Sequence, residues 1–282
     1  MNLSIEAARQ FYAEELQFLT QMTSPALLRA FATVPRERFL GPGPWRILGP
    51  AGFMTTEDAD PRRVYHNVLI TLDEAKGINN GQPSMWARFF DQLDVHANDH
   101  VLHLGCGTGY YTAILAELVG PAGKIIAVEI DEDVAERARA ALALWPQVFV
   151  LHGDGSRAPF AAADVIVASA GVTHPPAAWL AALNPGGKLL FPLTTDQGSG
   201  AMAHLIRRSA DNFEARLMFG VQFIPFSGAR DPKVSKELAD ALDRYAGAAV
   251  KSLRCDAHEK EETCWLHDDG WCFSKDEPNV LD

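Results

Sequence analysis

Val101-Leu102-His103-Leu104-Gly105-Cys106-Gly107-Thr108-Gly109-Tyr110 is the stretch that decides the fold of this chain. A short apolar strand runs into glycines at three alternate positions, and a helical pattern opens at Tyr110. Glycines let the chain turn sharply and let a ligand lie against bare backbone, while the helix N-terminus behind them offers unpaired N–H groups. The next strand, 124–129, closes on Glu129, 20 residues after Gly109. A carboxylate at that place can accept both ribose hydroxyls of an adenosine. The strand after it, 148–152, ends in Gly153-Asp154-Gly155, where a carboxylate and a backbone N–H can grip adenine. Successive strand ends are where open α/β sheets bind ligands. The spacing is G-x-G-x-G; a dinucleotide site would need G-x-G-x-x-G, and Tyr110 stands where its last turn should continue. A plain βα turn with incidental acidic residues is the bland alternative.

Outward from this loop, strands and helices alternate. A helix over 83–93 opens with Pro83 in its first turn, strand 101–104 leads to helix 110–119, and strand 124–129 leads to helix 132–144. Strands 148–152 and 165–168 follow, then helix 177–183 and strand 188–192 after the turn Asn184-Pro185-Gly186-Gly187. Such alternation predicts a mostly parallel sheet with helices on both faces. Segments 201–208 and 213–224 read as a closing antiparallel pair. Upstream, 3–32 is helical, with Ser24-Pro25 opening a second helix. From Gly41-Pro42-Gly43-Pro44 to about Gly81 the pattern is irregular apart from one strand near 68–72, as in a lid or binding loop. The expected division is 1–82 as helices and substrate segment, 83–227 as cofactor domain, and 228–282 as an acidic extension.

The 282 residues are 48% hydrophobic and 22% charged, with a net charge of −11. That surface repels phosphate backbones and no Lys/Arg run offsets it, so no nucleic-acid partner is expected. No apolar stretch approaches the ~20 residues that span a bilayer. The first ten residues lack an apolar signal segment, and a cytoplasmic protein with no membrane role is expected.

Together these motifs resemble the protein-L-isoaspartate O-methyltransferase family from about Ser24 to Pro225. The matching pieces are Val34-Pro35-Arg36 with Phe39, the 101–110 stretch, Val128-Glu129, Gly153-Asp154-Gly155, Ala168-Ser169-Ala170, Leu183-Asn184-Pro185-Gly186-Gly187 and Phe223-Ile224-Pro225. The resemblance implies a Rossmann-like S-adenosylmethionine-dependent methyltransferase. It implies that Glu129 binds ribose, that Asp154 and Gly155 bind adenine, and that Gly105 and Gly107 approach the methionine part; Thr108 and Gly109 complete the expected cofactor loop. It also implies carboxyl O-methylation of a protein or peptide, the alternatives being a small-molecule acid as acceptor or a noncatalytic module that only binds the cofactor.

The family carries a Thr-Ile-Ser-x-Pro segment whose serine lies beside the substrate. This chain reads Gly77-Ile78-Asn79-Asn80-Gly81-Gln82-Pro83-Ser84, and alignment on Pro83 puts the serine at Gly81. Poor isoaspartyl repair is therefore expected, the preferred substrate being another carboxylate held by donors from Asn79, Asn80, Gln82 or Ser84. A carboxylate is ionised near neutral pH and needs no base; a hydroxyl or amine acceptor would need one, for which His174 is the best placed of His66, His152 and His174.

The last segment, 251–282, holds four Lys/Arg against nine Asp/Glu. Asp268-Asp269-Gly270 between two apolar runs predicts a hairpin. Cys255-x-x-His258 and Cys264-x-x-His267, with Cys272 beyond, permit zinc but match no common arrangement, and Trp265 and Trp271 favour simple packing, so no metal is expected.

Overall fold

The computed structural model describes residues 3–49, 52–157, 160–245 and 249–278. Helices α1 (Ile5–Thr20) and α2 (Pro25–Thr33) start at Ser4 and Ser24, whose hydroxyls accept from the N–H groups of Ala7 and Leu27. A 3-10 turn over Arg36–Phe39 follows. Then come β1 (Arg46–Gly49), β2 (Gly52–Thr55), β3 (Leu69–Asp73) and β4 (Ile78–Asn79). Next are α3 (Pro83–Leu93), β5 (His100–Leu104), α4 (Tyr110–Val119), β6 (Lys124–Glu129), α5 (Glu132–Ala141) and β7 (Val148–His152). They are followed by β8 (Ala163–Ala168), α6 (Ala177–Ala182), β9 (Leu183–Thr194), β10 (Ser199–Arg207) and β11 (Asn212–Gln222). The chain closes with α7 (Pro232–Tyr245), β12 (Ser252–Arg254), β13 (Cys264–Asp268) and β14 (Trp271–Ser274).

These elements form two compact units, Met1–Asp99 with Cys106–His152, and His100–Gly105 with Gly153–Asp282. In the first, β6 and β7 pair in parallel across α5, and the 41–81 segment folds into a four-stranded antiparallel sheet of order β2-β1-β3-β4. Of these four, only β3 is marked by a local pattern in the sequence. The others are two to four residues long, too short for a period of two to stand out. An aromatic cluster fills this unit: Tyr12, Phe31, Phe39, Tyr65, Trp86, Phe90, Tyr110 and Tyr111 are all buried, with ring centroids 5.0–6.5 Å apart.

In the second unit, β5, β8 and β9 are parallel neighbours. Strands β10, β11, β12, β14 and β13 extend the same sheet in that order, each antiparallel to the one before. The turn Asn184–Gly187 is present as an irregularity inside β9, where the pairing with β8 jumps from Ala163↔Leu183 to Val165↔Lys188. Parallel strands joined by covering helices make this an α/β, Rossmann-like fold. The extension forms the expected hairpin, and α7 precedes it, a helix with no counterpart among the expected elements.

The second unit also predicts a pH dependence. His103 is buried with Nε2 2.9 Å from Ser169 Oγ, and burial pushes its pKa down to about 3. Burial likewise lowers His204 to about 4. Below the unfolded-state value of about 6.5 the unfolded chain gains protons that the native state refuses, so stability falls on acidification. Each such histidine contributes a slope of up to about 1.4 kcal/mol per pH unit. Urea unfolding at pH 7.5 and pH 5 is expected to show this loss, and His103→Gln to show a smaller one; an unchanged slope in the variant would exclude His103 as a source.

Candidate functional site

Glu129 is buried at the C-terminal end of β6. Its Oε2 accepts the N–H of Gly107 at 2.8 Å, and its Oε1 accepts those of Ile130 and Asp131 at 2.9 and 3.1 Å. A carboxylate offers about four acceptor positions, so these three bonds fix the side chain and leave Oε2 able to take a further donor. Gly107 has φ +58, and a Cβ built on it would meet nothing within 4 Å. The left-handed backbone there, rather than protein crowding, calls for glycine. Bare backbone beside a fixed carboxylate fits the ribose and methionine parts of S-adenosylmethionine. Burial, with Glu129 nearby, pushes the Cys106 thiol well up.

Thr108 also braces the loop. Its buried hydroxyl donates to the carbonyl of Phe39 at 2.7 Å, so the side chain clamps the 36–39 turn to the glycine loop and leaves only the backbone of this residue for a ligand.

The acceptor residues in the first unit divide in the same way. Asn79 Oδ1 accepts the N–H of Gly81 at 2.9 Å, Gln82 Nε2 lies 3.5 Å from Ser84 Oγ, and the N–H of Ser84 donates to Asn67 Oδ1 at 2.9 Å. Asn80, by contrast, points inward, where its Oδ1 accepts from Arg36 Nε at 3.1 Å. The guanidinium of Arg36, fully buried, also donates to the carbonyls of Val64, His66 and Val68 at 2.7–2.9 Å, and it lies 5.7 and 5.8 Å from the ring centroids of Tyr12 and Tyr110. Through its Oδ1, Asn80 thus supports the segment. Arg36 is legible in the sequence only as part of Val34-Pro35-Arg36; its role as the anchor of 64–80 carries no local signal. Gly81 has φ +71, and a Cβ there would sit 2.8 Å from Trp86 Nε1, while Tyr111 Oη donates to its carbonyl at 3.2 Å. A serine cannot replace it without moving Trp86.

In the second unit, Asp154 closes a tight turn: its Oδ1 accepts the N–H and hydroxyl of Ser156 at 2.8 and 2.7 Å. Oδ2 lies 3.5 Å from Nε of the exposed Arg157. The carbonyl of Gly155 accepts from Trp179 Nε1 at 2.8 Å, which pins this turn to α6. His174, the candidate base, lies in this unit as well. Its Nδ1 is 3.0 Å from Thr173 Oγ1, its ring stacks on Trp271 of the hairpin, and burial holds its pKa below the usual histidine range.

The protein-L-isoaspartate(D-aspartate) O-methyltransferase (PCMT) family model matches residues 53–231. The protein-L-isoaspartate O-methyltransferase of Methanothermobacter thermautotrophicus is 31% identical over 227 residues, 78% of this chain and 95% of the relative. Protein-L-isoaspartate O-methyltransferase 1 of Rhodopseudomonas palustris is 32% identical over 231 residues, 78% of this chain and 86% of the relative. Among solved structures, the beta-aspartate methyltransferase (PCMT) of Plasmodium falciparum in complex with S-adenosyl-L-homocysteine shares the fold. Its TM-score is 0.63 at 14% identity, covering 78% of this chain and 98% of that one.

Proposed function

This chain belongs to the protein-L-isoaspartate O-methyltransferase family and is an S-adenosylmethionine-dependent methyltransferase, and from that premise we propose that it esterifies an isoaspartyl-type carboxyl group of a protein or peptide. The observation that supports the cofactor side of the reading is the Gly107–Glu129 pair, a fixed carboxylate hydrogen-bonded to the glycine loop, and the acceptor class is supported by the family. Glu129 serves the ribose, Asp154 and Gly155 the adenine, and the backbone of Gly105, Gly107, Thr108 and Gly109 the remainder of the cofactor. Segment 83–227 is then the cofactor domain and 1–82 carries the acceptor side.

S-adenosylmethionine supplies, when bound, a methyl group on a positively charged sulfur. The acceptor carboxylate, whose ordinary pKa is about 4, is ionised near neutral pH, so no side chain of this chain has to remove a proton. Its residues contribute alignment, which in well-oriented systems is worth up to about 7–11 kcal/mol. Asn79, Gln82 and Ser84 are the donors we assign to the acceptor. His174 has no step to perform. A cytoplasmic setting is part of the proposal, and the net charge of −11 disfavours nucleic acid as a partner.

Tritiated-methyl transfer into an isoaspartyl hexapeptide, with its aspartyl twin as control, tests the proposal. Incorporation into the isoaspartyl peptide alone is expected. Gly81 brings no hydroxyl, and one unpaired carboxylate oxygen costs about 1–3 kcal/mol. The rate should therefore fall roughly tenfold to a hundredfold below that of a serine-bearing relative. No incorporation by protein that binds S-adenosylhomocysteine would overturn the acceptor assignment.

A further inference from the structure

The C-terminal extension, which lies beyond the matched region 53–231, brings four metal-ligating side chains to one point. One ligand atom from each of His258, Cys264, His267 and Cys272 lies within 4.8 Å of all the others. Cys264 Sγ is 3.6 Å from His258 Nε2 and 3.9 Å from His267 Nδ1. In a tetrahedral zinc site with bonds of about 2.3 Å to sulfur and 2.0–2.1 Å to nitrogen, sulfur and nitrogen ligands stand about 3.6 Å apart. Small side-chain movements would close the remainder.

The hairpin is built to make this convergence. Strands alternate faces with a period of two, so Cys264 and His267, three residues apart, would face opposite ways on a regular strand. The pairing shifts between Cys264 and Leu266: Cys264↔Ser274 is followed by Leu266↔Phe273 and His267↔Cys272. Trp265 is the extra residue of a bulge, and it turns Cys264 and His267 to the face that carries Cys272. The surroundings also suit a metal. Nδ1 of His258 is 3.0 Å from the carbonyl of Asp256, which directs Nε2 toward the cluster, and the N–H of Glu261 donates to Cys264 Sγ at 3.3 Å. Partners of this kind orient ligands in metal sites. Cys272 is fully buried and Cys264 nearly so. Cys255 stands apart, its backbone N–H donating to the carbonyl of Asp211, so the two Cys-x-x-His pairs of the sequence do not combine.

We propose that His258, Cys264, His267 and Cys272 form a structural zinc site that staples the C-terminal hairpin. Two thiolates and two neutral imidazoles give a closed tetrahedral set whose charge balances Zn2+, and the donor softness selects zinc over magnesium or calcium. Binding forms two Zn–S and two Zn–N bonds and releases the two thiol protons to solvent. The three strands are only three to five residues long, and the metal supplies a cross-link between them. The zinc site does not depend on the acceptor of the methyl group.

Elemental analysis of full-length protein, purified in reductant from zinc-supplemented cells, is expected to find one zinc per chain. Cys272→Ser and His258→Asn should lose it and Cys255→Ser should keep it. If the ligand variants fail to fold, the wild-type protein decides: Co2+ exchanged for zinc should give the intense visible bands of a tetrahedral site and a thiolate charge-transfer band. Fully reduced, folded protein that takes up neither Zn2+ nor Co2+ overturns the proposal. So does metal retained in both ligand variants, or a Cys264–Cys272 disulfide in protein prepared under reductant.

Discussion

Arg36→Ala is expected to lower the thermal midpoint by about 10 °C or more and to leave little soluble protein at 37 °C. Among the described residues the Arg36 side chain has no carboxylate partner; it serves the carbonyls of Val64, His66 and Val68 and the Oδ1 of Asn80. Truncation strands four acceptors in a buried place, each costing about 1–3 kcal/mol where water cannot reach. It also leaves a cavity between Tyr12 and Tyr110. A combined loss of about 4 kcal/mol is a large fraction of the 5–15 kcal/mol that holds a domain together, and in a chain of this size each 1 kcal/mol is worth about 2–4 °C. Arg36→Lys should recover only part of this, because an ammonium has three donors and no planar fork. Circular dichroism melts of the three proteins give the answer. A midpoint within about 2 °C of wild type for the alanine variant, smaller than the shift from 1 kcal/mol, would show that Arg36 is not the anchor of 64–80.

Glu129→Ala is the second large effect, and its readout is affinity. The carboxylate makes three hydrogen bonds to backbone N–H groups and is assigned the ribose. Charge-assisted hydrogen bonds are worth about 1.5–3 kcal/mol, which corresponds to a roughly tenfold to 150-fold loss of affinity for S-adenosylhomocysteine. Loosening the Gly107 N–H adds to this, because the glycine loop loses its fixed partner. Glu129→Gln keeps the shape and one carbonyl oxygen but turns an amide toward a donor, so it should fall between the two. Calorimetric titration measures all three, with melts to confirm folding. Unchanged affinity in the alanine variant would remove Glu129 from the cofactor site.

Much of the chain is legible in its residues alone. Helices α3 and α4 and strands β6 and β7 run over the residues their periodicity marks, because caps, first-turn prolines and apolar runs are local signals. The pairing of the glycine loop with Glu129 is foreseeable as well, since one βα step separates them. Residues whose partners lie far along the chain are easily misread. Asn80 and Thr108 are types that bind ligands as readily as they brace a loop, and only their partners, Arg36 and the carbonyl of Phe39, reveal the bracing. The separations are 44 and 69 residues. His174 looks like a cleft residue from its place after β8; the hairpin that covers it comes almost a hundred residues later.

The tail marks the boundary most clearly. Alternation and the Asp-Asp-Gly turn are enough to determine a hairpin near 263–274, and composition is enough to make it acidic. Which cysteines and histidines meet is decided by tertiary structure alone. One extra residue in β13 reverses the face of everything before it, and a shift of one in register leaves no trace in hydrophobic pattern or spacing. Local sequence sets which segments become strand, turn or helix, because those choices depend on neighbours within a few residues. Side-chain convergence depends on register and on packing between distant segments, and these are settled only when the whole chain is folded.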